Sequence, residues 1–203
     1  MTVKERSLDL ISFIDKSPSP FHAVQEISRR LEQEGFVYLP ETEAFPVVRG
    51  GKYYTKRNGS SIIAFRIPQE PKGGFQILAS HSDSPSFKIK GENPFLEDGN
   101  YTRLNVERYG GMIMAPWLDR PLGIAGRVIV RTEDGVRSEL VDSERNLTMI
   151  PNMPIHLSRK MNESLSYDAQ KDMLPVIGGP DAKEHFFEAL GCCLLYTSDA
   201  ADD

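Results

Sequence analysis

The hydrophobic pattern begins with helical spacing. In SPSPFHAVQEISRRLEQEGF, four apolar residues recur on one helical face, namely Phe21, Val24, Ile27 and Leu31. Ser19 is a suitable N-cap, Pro20 fits the first turn and Gly35 suits the C-terminal end. The preceding segment MTVKERSLDLISFIDKS also has an amphipathic pattern. Two consecutive helices are therefore predicted at the start of the chain.

The next apolar runs follow a strand pattern. In GGKYYTKRNGSSIIAFRIP, two strand-like runs flank Asn58-Gly59, the pair that type I′ hairpin turns prefer. The runs SIIAFRI and FQILAS are apolar at nearly every position, which predicts strands covered on both faces, as in an α/β core. The expected order is helix, helix, hairpin, strand, with the second helix packed on the sheet.

The pattern changes again near residue 90. The following strand-like pieces have no amphipathic helix between them: RLNVERYGGMIM, GRVIVRTEDGVRSELVD and MPIHLSRKM. The pair Gly110-Gly111 predicts a bulge or close backbone packing and lacks the spacing of a phosphate loop. The predicted fold class is α/β, with residues 1–90 in an α/β domain and residues 91–191 in a mostly β module.

The C-terminal end departs from both patterns. AKEHFFEALG predicts the start of a helix, in which we interpret His185 as a surface residue. The segment CCLLYTSDAADD then has no periodicity and resembles translated adapter sequence on assembled gene fragments. We expect residues 192–203 to be a non-native tail. Its adjacent Cys192 and Cys193 neither staple a fold nor form a metal motif.

Composition limits the classes of partner and location. The chain has 203 residues and a formal net charge of −5, which does not favour nucleic acid or an anionic membrane as a partner. No apolar run reaches the roughly 18–20 residues that span a bilayer. The N-terminal segment lacks the apolar core of a signal peptide. With only two cysteines, the expected location is the cytoplasm.

One polar cluster carries candidate metal chemistry. The apolar run FQILAS ends at His81, with Asp83 two positions later. A zinc-binding histidine usually donates its second ring nitrogen to a carboxylate, which fixes the tautomer, and Asp83 can supply that carboxylate. The same residues also fit the polar end of a buried strand, because Ser, Asp and Pro are common turn residues. The pattern alone leaves both interpretations open.

Other candidate side chains have structural alternatives. His22 begins the second helix, which favours a capping or packing role. His156 lies in the strand-like piece PIHLSRK, where an ordinary strand residue is the simplest interpretation. In WLDRPLGIAGR, which begins at Trp117, Arg120 can bind a substrate carboxylate, but an ion pair with Asp119 fits equally well. We favour the structural role there.

Six blocks in a fixed order resemble the aspartyl aminopeptidase family of zinc metallopeptidases. They are SPSPFHAV, GGKYYTKRNGSSIIAFR, ASHSDSPSFKIK, YGGMIMAPWLDRPLGIAGRV, IPNMPIHLSRKMNE and AQKDMLP. The resemblance runs from about residue 8 to about residue 190. It implies an enzyme that removes N-terminal residues, preferably Asp or Glu, from peptides, with two zinc ions bridged by an Asp and a water.

The resemblance also implies roles for individual residues. His81 would be a ligand of one zinc ion, and Asp83 would orient it in the catalytic site. His156 matches a family histidine at the active site, either as a metal ligand or as a substrate contact that reaches into a neighbouring subunit's site. We prefer the substrate contact.

The family's architecture assigns the two predicted parts of the chain. Residues 1–90 would be the N-terminal part of an α/β catalytic domain, and residues 91–191 an incomplete β-rich dimerisation insert. The family's homodimers assemble into a tetrahedral dodecamer. Homo-oligomers and peptide substrates are therefore the expected partners, with zinc as the cofactor.

Several groups that the family uses have no counterpart in the chain. They are an Asp, an adjacent Glu-Glu pair, a further acidic residue and a final His, and no Glu-Glu pair occurs in the sequence. We interpret the chain as an N-terminal fragment that is inactive alone. A non-catalytic dimerising module is the main alternative. A mononuclear hydrolase would require His81, His156 and an Asp to converge within about 2.0–2.2 Å of one ion.

A sequencing read of the source DNA across the codons for residues 185–203 tests the fragment interpretation. We expect the frame to continue past Gly191 into an Asp, a Glu-Glu pair and a late His. A read that contains the tail and a stop codon after Asp203 would instead favour the dimerising module.

Overall fold

A computed structural model of the chain describes residues 2–44, 46–70, 73–133, 135–163 and 166–191. The chain divides into two units, Met1–Ser84 and Pro85–Asp203. The change in hydrophobic pattern near residue 90 lies close to this division. The assignment of the two parts to a catalytic domain and a dimerisation insert stays a prediction, and the predicted tail at residues 192–203 lies outside the described residues.

Two capped helices open the first unit. Helix α1 spans Val3–Asp15, and Thr2 and Glu5 form a reciprocal capping box at its start. Helix α2 spans Pro20–Gln33, with Ser19 as N-cap and proline in the first turn, as predicted. The Ser19 hydroxyl also lies 2.7 Å from Nδ1 of His22, which confirms a capping role for this histidine.

A three-stranded sheet follows the helices. Its order is β1 (Val37–Tyr38), β2 (Lys52–Arg57) and β3 (Ser61–Arg66), with β1 parallel to β2 and β3 antiparallel. Asn58 and Gly59 have φ of 53° and 66°, as a type I′ turn requires. The predicted hairpin is therefore confirmed.

Helix α2 packs against this sheet through a buried tyrosine. The side chain of Tyr54 on β2 is 1% exposed, and its hydroxyl donates to the carboxylate of Glu32 on α2. Burial, together with this carboxylate, raises the pKa of Tyr54 to about 12. Lys52 Nζ donates to the carbonyl of Glu34 at 2.7 Å, close to the end of the helix. The expected packing of the second helix on the sheet is confirmed.

The prediction of a further strand at FQILAS is wrong for this structure. Residues 75–80 form no strand, and Phe75 is 95% exposed. On β3 the Ile63 side chain is 66% exposed, so this strand is not covered on both faces as expected. An apolar run becomes a buried strand only when a neighbouring strand and a second layer cover it. Within the described residues of the first unit, β3 is an edge strand of the sheet, as β1 is on the other side.

A buried carboxylate joins the two helices. Glu26 on α2 is 5% exposed and accepts hydrogen bonds from Arg29 at 2.6 Å and from Arg30 at 2.8 Å. Arg30 also contacts Asp9 of α1 at 2.9 Å. The hydrogen bonds from Arg29 and Arg30 outweigh burial and lower the pKa of Glu26 to about 2. This network supplies a polar connection between α1 and α2.

The second unit consists mostly of short strands. They are β4 (Ser86–Ile89), β5 (Phe95–Glu97), β6 (Thr102–Leu104), β7 (Val106–Tyr109), β8 (Pro121–Leu122), β9 (Ala125–Thr132), β10 (Gly135–Asp142), β11 (Thr148–Met149) and β12 (Val176–Gly178). Its described helices are a 3-10 turn at Ala115–Trp117 and α3 at Phe186–Ala189. The mixed α/β fold class is confirmed.

Three sheets organise these strands. A five-stranded sheet has the order β5-β6-β12-β11-β8, β4 pairs with β7, and β9 pairs with β10 over eight residue pairs. The strand-like piece GRVIVRTEDGVRSELVD therefore forms two antiparallel strands. Gly110 has φ of 76°, the left-handed region that favours glycine, and a Cβ at this position would make only an ordinary contact with Pro85, so the predicted close packing is not observed.

Two apolar clusters hold the second unit together. The larger contains Leu104, Val106, Leu174, Phe186 and Leu190. Phe186 of α3 meets Phe95 of β5 edge-to-face at 5.1 Å between ring centroids, a favoured aromatic geometry. The smaller contains Leu118, Ile150 and Met173. None of the described helices is long and apolar enough to cross a membrane.

Replacing Glu26 with Gln tests the buried network. Since the folded-state pKa lies below its ordinary value of 4.5, the carboxylate stabilises the fold above pH 4.5 and loses this effect as pH falls towards 2. We expect Glu26→Gln to lower the free energy of unfolding near neutral pH by about 1–2 kcal/mol. Urea unfolding, monitored by circular dichroism, should show this difference shrinking in acid. An equal loss in the exposed control Glu70→Gln would contradict the prediction.

Candidate functional site

The predicted pair His81 and Asp83 lies in an irregular segment shortly before β4. Nδ1 of His81 is 3.0 Å from Asp83 Oδ1 and 2.9 Å from the Asp83 carbonyl oxygen. The histidine side chain is 83% exposed, whereas the aspartate side chain is 36% exposed. The aspartate thus contacts one edge of the ring and leaves the other edge accessible.

This contact fixes the histidine tautomer. A carboxylate and a carbonyl oxygen can only accept hydrogen bonds, so Nδ1 of His81 must carry the proton. In the neutral ring, Nε2 then keeps a free lone pair, which is the form that binds a divalent metal. The local geometry is therefore suited to a metal-binding histidine with an orienting carboxylate.

His156 lies in a turn, and the expected strand at MPIHLSRKM is wrong. The Leu157 amide donates to the Pro154 carbonyl at 2.9 Å, and the Ser158 amide reaches the same oxygen at 3.3 Å. The His156 side chain is exposed. Proline at position 154 has no amide donor for a strand ladder, which favours a turn at this point. An exposed turn makes the histidine accessible for contacts with another molecule.

Asp119 fixes the start of the segment that carries His156. Its Oδ1 accepts a hydrogen bond from the Asn152 amide at 2.9 Å, and its own amide donates to the carbonyl of buried Ile150 at 2.9 Å. Asp119 has φ of 55°, a left-handed conformation that Asp tolerates better than most residues. The sequence predicts a structural role for Asp119 but not its hydrogen bond with the Asn152 amide. The local sequence LDRP indicates a turn and contains no information about a partner distant in the chain.

The ion pair expected between Asp119 and Arg120 is wrong, whereas Trp117 has a structural role. In the described part of the chain, the Asp119 carboxylate accepts from the Asn152 amide and forms no ion pair with Arg120, whose side chain is exposed. Trp117 packs edge-to-face on Phe87 with 5.2 Å between ring centroids and covers the smaller apolar cluster. The indole therefore contributes to the core of the second unit.

His185 lies on the surface of the second unit, away from any group of metal donors among the described residues. His185 is 69% exposed and lies 3.6 Å from Glu188, which confirms a surface position. Among the described residues, no three His, Cys, Asp or Glu side chains gather closely enough to hold a metal ion. His81 and Asp83 fit one zinc ligand and its orienting partner, which is fewer than the three protein ligands typical of a catalytic site. His81 and His156 belong to different units.

Comparison with known proteins identifies the family. The family model of the aminopeptidase I zinc metalloproteases (M18) matches residues 13–188. The chain therefore belongs to the M18 family, as the six sequence blocks predicted.

Curated relatives support the assignment. A probable M18 family aminopeptidase 2 of Clostridium acetobutylicum is 42% identical over 173 residues, which cover 83% of this chain and 40% of the relative. The protein of the same name from Ectopseudomonas mendocina is 41% identical over 170 residues, covering 83% of this chain and 39% of the relative. The chain thus spans about two fifths of the length of these relatives.

Solved structures show the same fold. A chain of the cryo-EM structure of the Ape4 and Nbr1 complex matches with a TM-score of 0.81 and 40% identity over 87% of this chain and 34% of that chain. The S. cerevisiae mApe1 dodecamer matches with a TM-score of 0.64 and 28% identity over 84% of this chain and 37% of that chain. The α/β fold assigned from sequence is that of M18 aminopeptidases.

Nuclear magnetic resonance of the His81 ring nitrogens tests the tautomer. In the neutral ring of the parent chain we expect mainly the Nδ1–H form, because both contacting oxygens are acceptors. Asp83→Ala removes one acceptor and should shift the population towards the Nε2–H form that free imidazole favours. An unchanged tautomer in Asp83→Ala, with the His185 ring as internal reference, would show that the Asp83 carboxylate does not set the tautomer of His81.

Proposed function

We propose that this chain supplies one metal ligand and one substrate contact to a zinc-dependent aminopeptidase. The observation that carries the proposal is the contact between His81 Nδ1 and Asp83 Oδ1 at 3.0 Å, within a segment that the M18 family model covers. The reaction is removal of N-terminal residues from peptides, with a preference for Asp or Glu.

His81 would bind one zinc ion through Nε2, and Asp83 would hold the ring in the required tautomer. Hydrogen bonding to a carboxylate also raises the basicity of the ligand nitrogen. When bound, zinc activates a water molecule and polarises the scissile carbonyl. We propose two zinc ions in the complete active site, with the further ligands outside the residues described here.

His156 would contact the substrate in our preferred version of the proposal. Its position in an exposed turn supports this role, since a side chain in a turn can reach beyond its own unit. The backbone contacts of Asp119 would limit the movement of the turn and thereby position the histidine. The alternative, that His156 is itself a metal ligand, requires that its ring approach the zinc ion directly.

We also propose that the protein associates with further copies of itself. The mApe1 relative forms a dodecamer, and the β-rich part of this chain, residues 91–191, would mediate dimer formation. The proposed location is the cytoplasm, which the low cysteine content supports.

A fusion of this chain to the part of a relative that it does not cover tests the proposed aminopeptidase activity. Residues 1–190, fused to the remaining segment of the Clostridium acetobutylicum protein, should hydrolyse peptides with N-terminal Asp or Glu in a zinc-dependent manner. We expect His81→Ala to lower kcat/KM by more than about 100-fold and Asp83→Asn by about 10–100-fold. The surface control His185→Ala should be unaffected. Full activity of His81→Ala would contradict the proposed ligand.

The 203-residue chain alone should not hydrolyse these peptides, because one histidine with its carboxylate does not hold a catalytic zinc ion. Release of N-terminal Asp by the purified chain, abolished by a chelator, would show that it is active by itself.

A further inference from the structure

We propose that Arg120 binds the acidic side chain of the substrate's N-terminal residue, beside the substrate contact made by His156. The proposal rests on the aminopeptidase proposed above and names a residue that determines its preference for Asp or Glu. Both of these side chains end in a carboxylate, and a guanidinium group can bind a carboxylate through two parallel hydrogen bonds. An arginine is therefore well suited to select an acidic residue.

The charge of Arg120 is available to another molecule. The sequence favours an ion pair with Asp119, but that carboxylate accepts a hydrogen bond from the Asn152 amide instead, at 2.9 Å. The Arg120 side chain is exposed, and within the described residues it forms no ion pair with an acidic side chain. Arg120 can therefore bind a substrate carboxylate without first losing a partner of its own.

The backbone on both sides of Arg120 is held in place. On one side, the Asp119 amide donates to the Ile150 carbonyl at 2.9 Å. On the other side, Pro121 is in register with Met149 in the pairing of β8 with β11. Arg120 thus lies at a bend whose two ends are both fixed, so binding a substrate orders mainly its side chain.

The same contacts connect Arg120 to the turn that carries His156. The Asp119 carboxylate holds the Asn152 amide, and His156 follows Asn152 by four residues. Because consecutive Cα atoms are about 3.8 Å apart, the Cα atoms of Asn152 and His156 are separated by at most about 15 Å. A long arginine side chain at the base of this segment and a histidine further along it can therefore contact one bound peptide.

Two other cations lie closer to His156 in sequence. Arg159 and Lys160 are exposed, and in the part of the chain that the structure describes neither forms an ion pair. They belong to turns whose described backbone hydrogen bonds are all local. Recognition of a carboxylate requires a donor that the surrounding structure holds in position. Arg120 meets this requirement because its neighbours are bonded to a different segment of the chain.

The substrate preference of the fusion protein described above tests the inference. Its parent form should have a higher kcat/KM for peptides with N-terminal Asp or Glu than for matched peptides with N-terminal Asn or Gln. Arg120→Ala should lower kcat/KM for the acidic peptides by about 10–100-fold, because a hydrogen-bonded charge pair is lost. The value for the amide peptides should stay unchanged, whereas a purely structural role would lower both values equally.

Two further variants control for charge and folding. Arg120→Glu should favour peptides with N-terminal Lys over those with N-terminal Asp, because it places a carboxylate beside the substrate side chain. Arg131→Ala removes an exposed arginine from β9 and should keep the parent preference. Circular dichroism should show the same fold in all variants.

The contrary outcomes have different meanings. A folded fusion protein that hydrolyses none of the peptides would overturn the proposed aminopeptidase itself. Activity without any preference for acidic residues would overturn the proposed preference and this inference with it. An unchanged preference in Arg120→Ala, or its loss in Arg159→Ala or Lys160→Ala instead, would overturn the role of Arg120 and leave the proposed function in place.

Discussion

The backbone of a strand must find hydrogen-bond partners, and this constraint determines most features of the two units. Where a partner strand is present within the described residues, the two strands form a regular ladder of backbone hydrogen bonds. Examples are β2 beside β3 and β9 beside β10. Where none is present, the chain either stays irregular, as at residues 75–80, or leaves an edge open, as at β10. Both places carry exposed apolar side chains, such as Phe75 and Val136.

The candidate metal ligand lies directly after one of these irregular segments. His81 follows the exposed residues 75–80, and its ring is held only by the neighbouring Asp83 among the contacts described. Local contacts of this kind fix a tautomer, but they do not fix the position of the ring against distant ligands. The chemistry of the pair is therefore established by two residues, whereas a complete zinc site depends on the tertiary structure that surrounds it.

The second unit shows how a short turn can be held in place without a large core. Asp119 uses a left-handed backbone and one carboxylate oxygen to attach to the segment that leads to His156. The Asp119 amide also donates to the carbonyl of Ile150, which is buried in one cluster with Leu118 and Met173. An exposed histidine on an anchored turn combines accessibility with limited freedom, which suits the substrate contact proposed for it.

The sequence by itself determined the features that depend on neighbouring residues. The caps of α2, the Asn58-Gly59 turn, the β9–β10 hairpin and the contact between His81 and Asp83 all join residues close in sequence, and their side-chain chemistry specifies them. The family was also recognisable, because six blocks occur in one order. Tertiary structure alone decided whether FQILAS became a strand and where His156 lies. A strand at FQILAS needs a pairing strand distant in the chain, and the anchoring of the His156 turn uses Asp119, so a local hydrophobic pattern encodes neither.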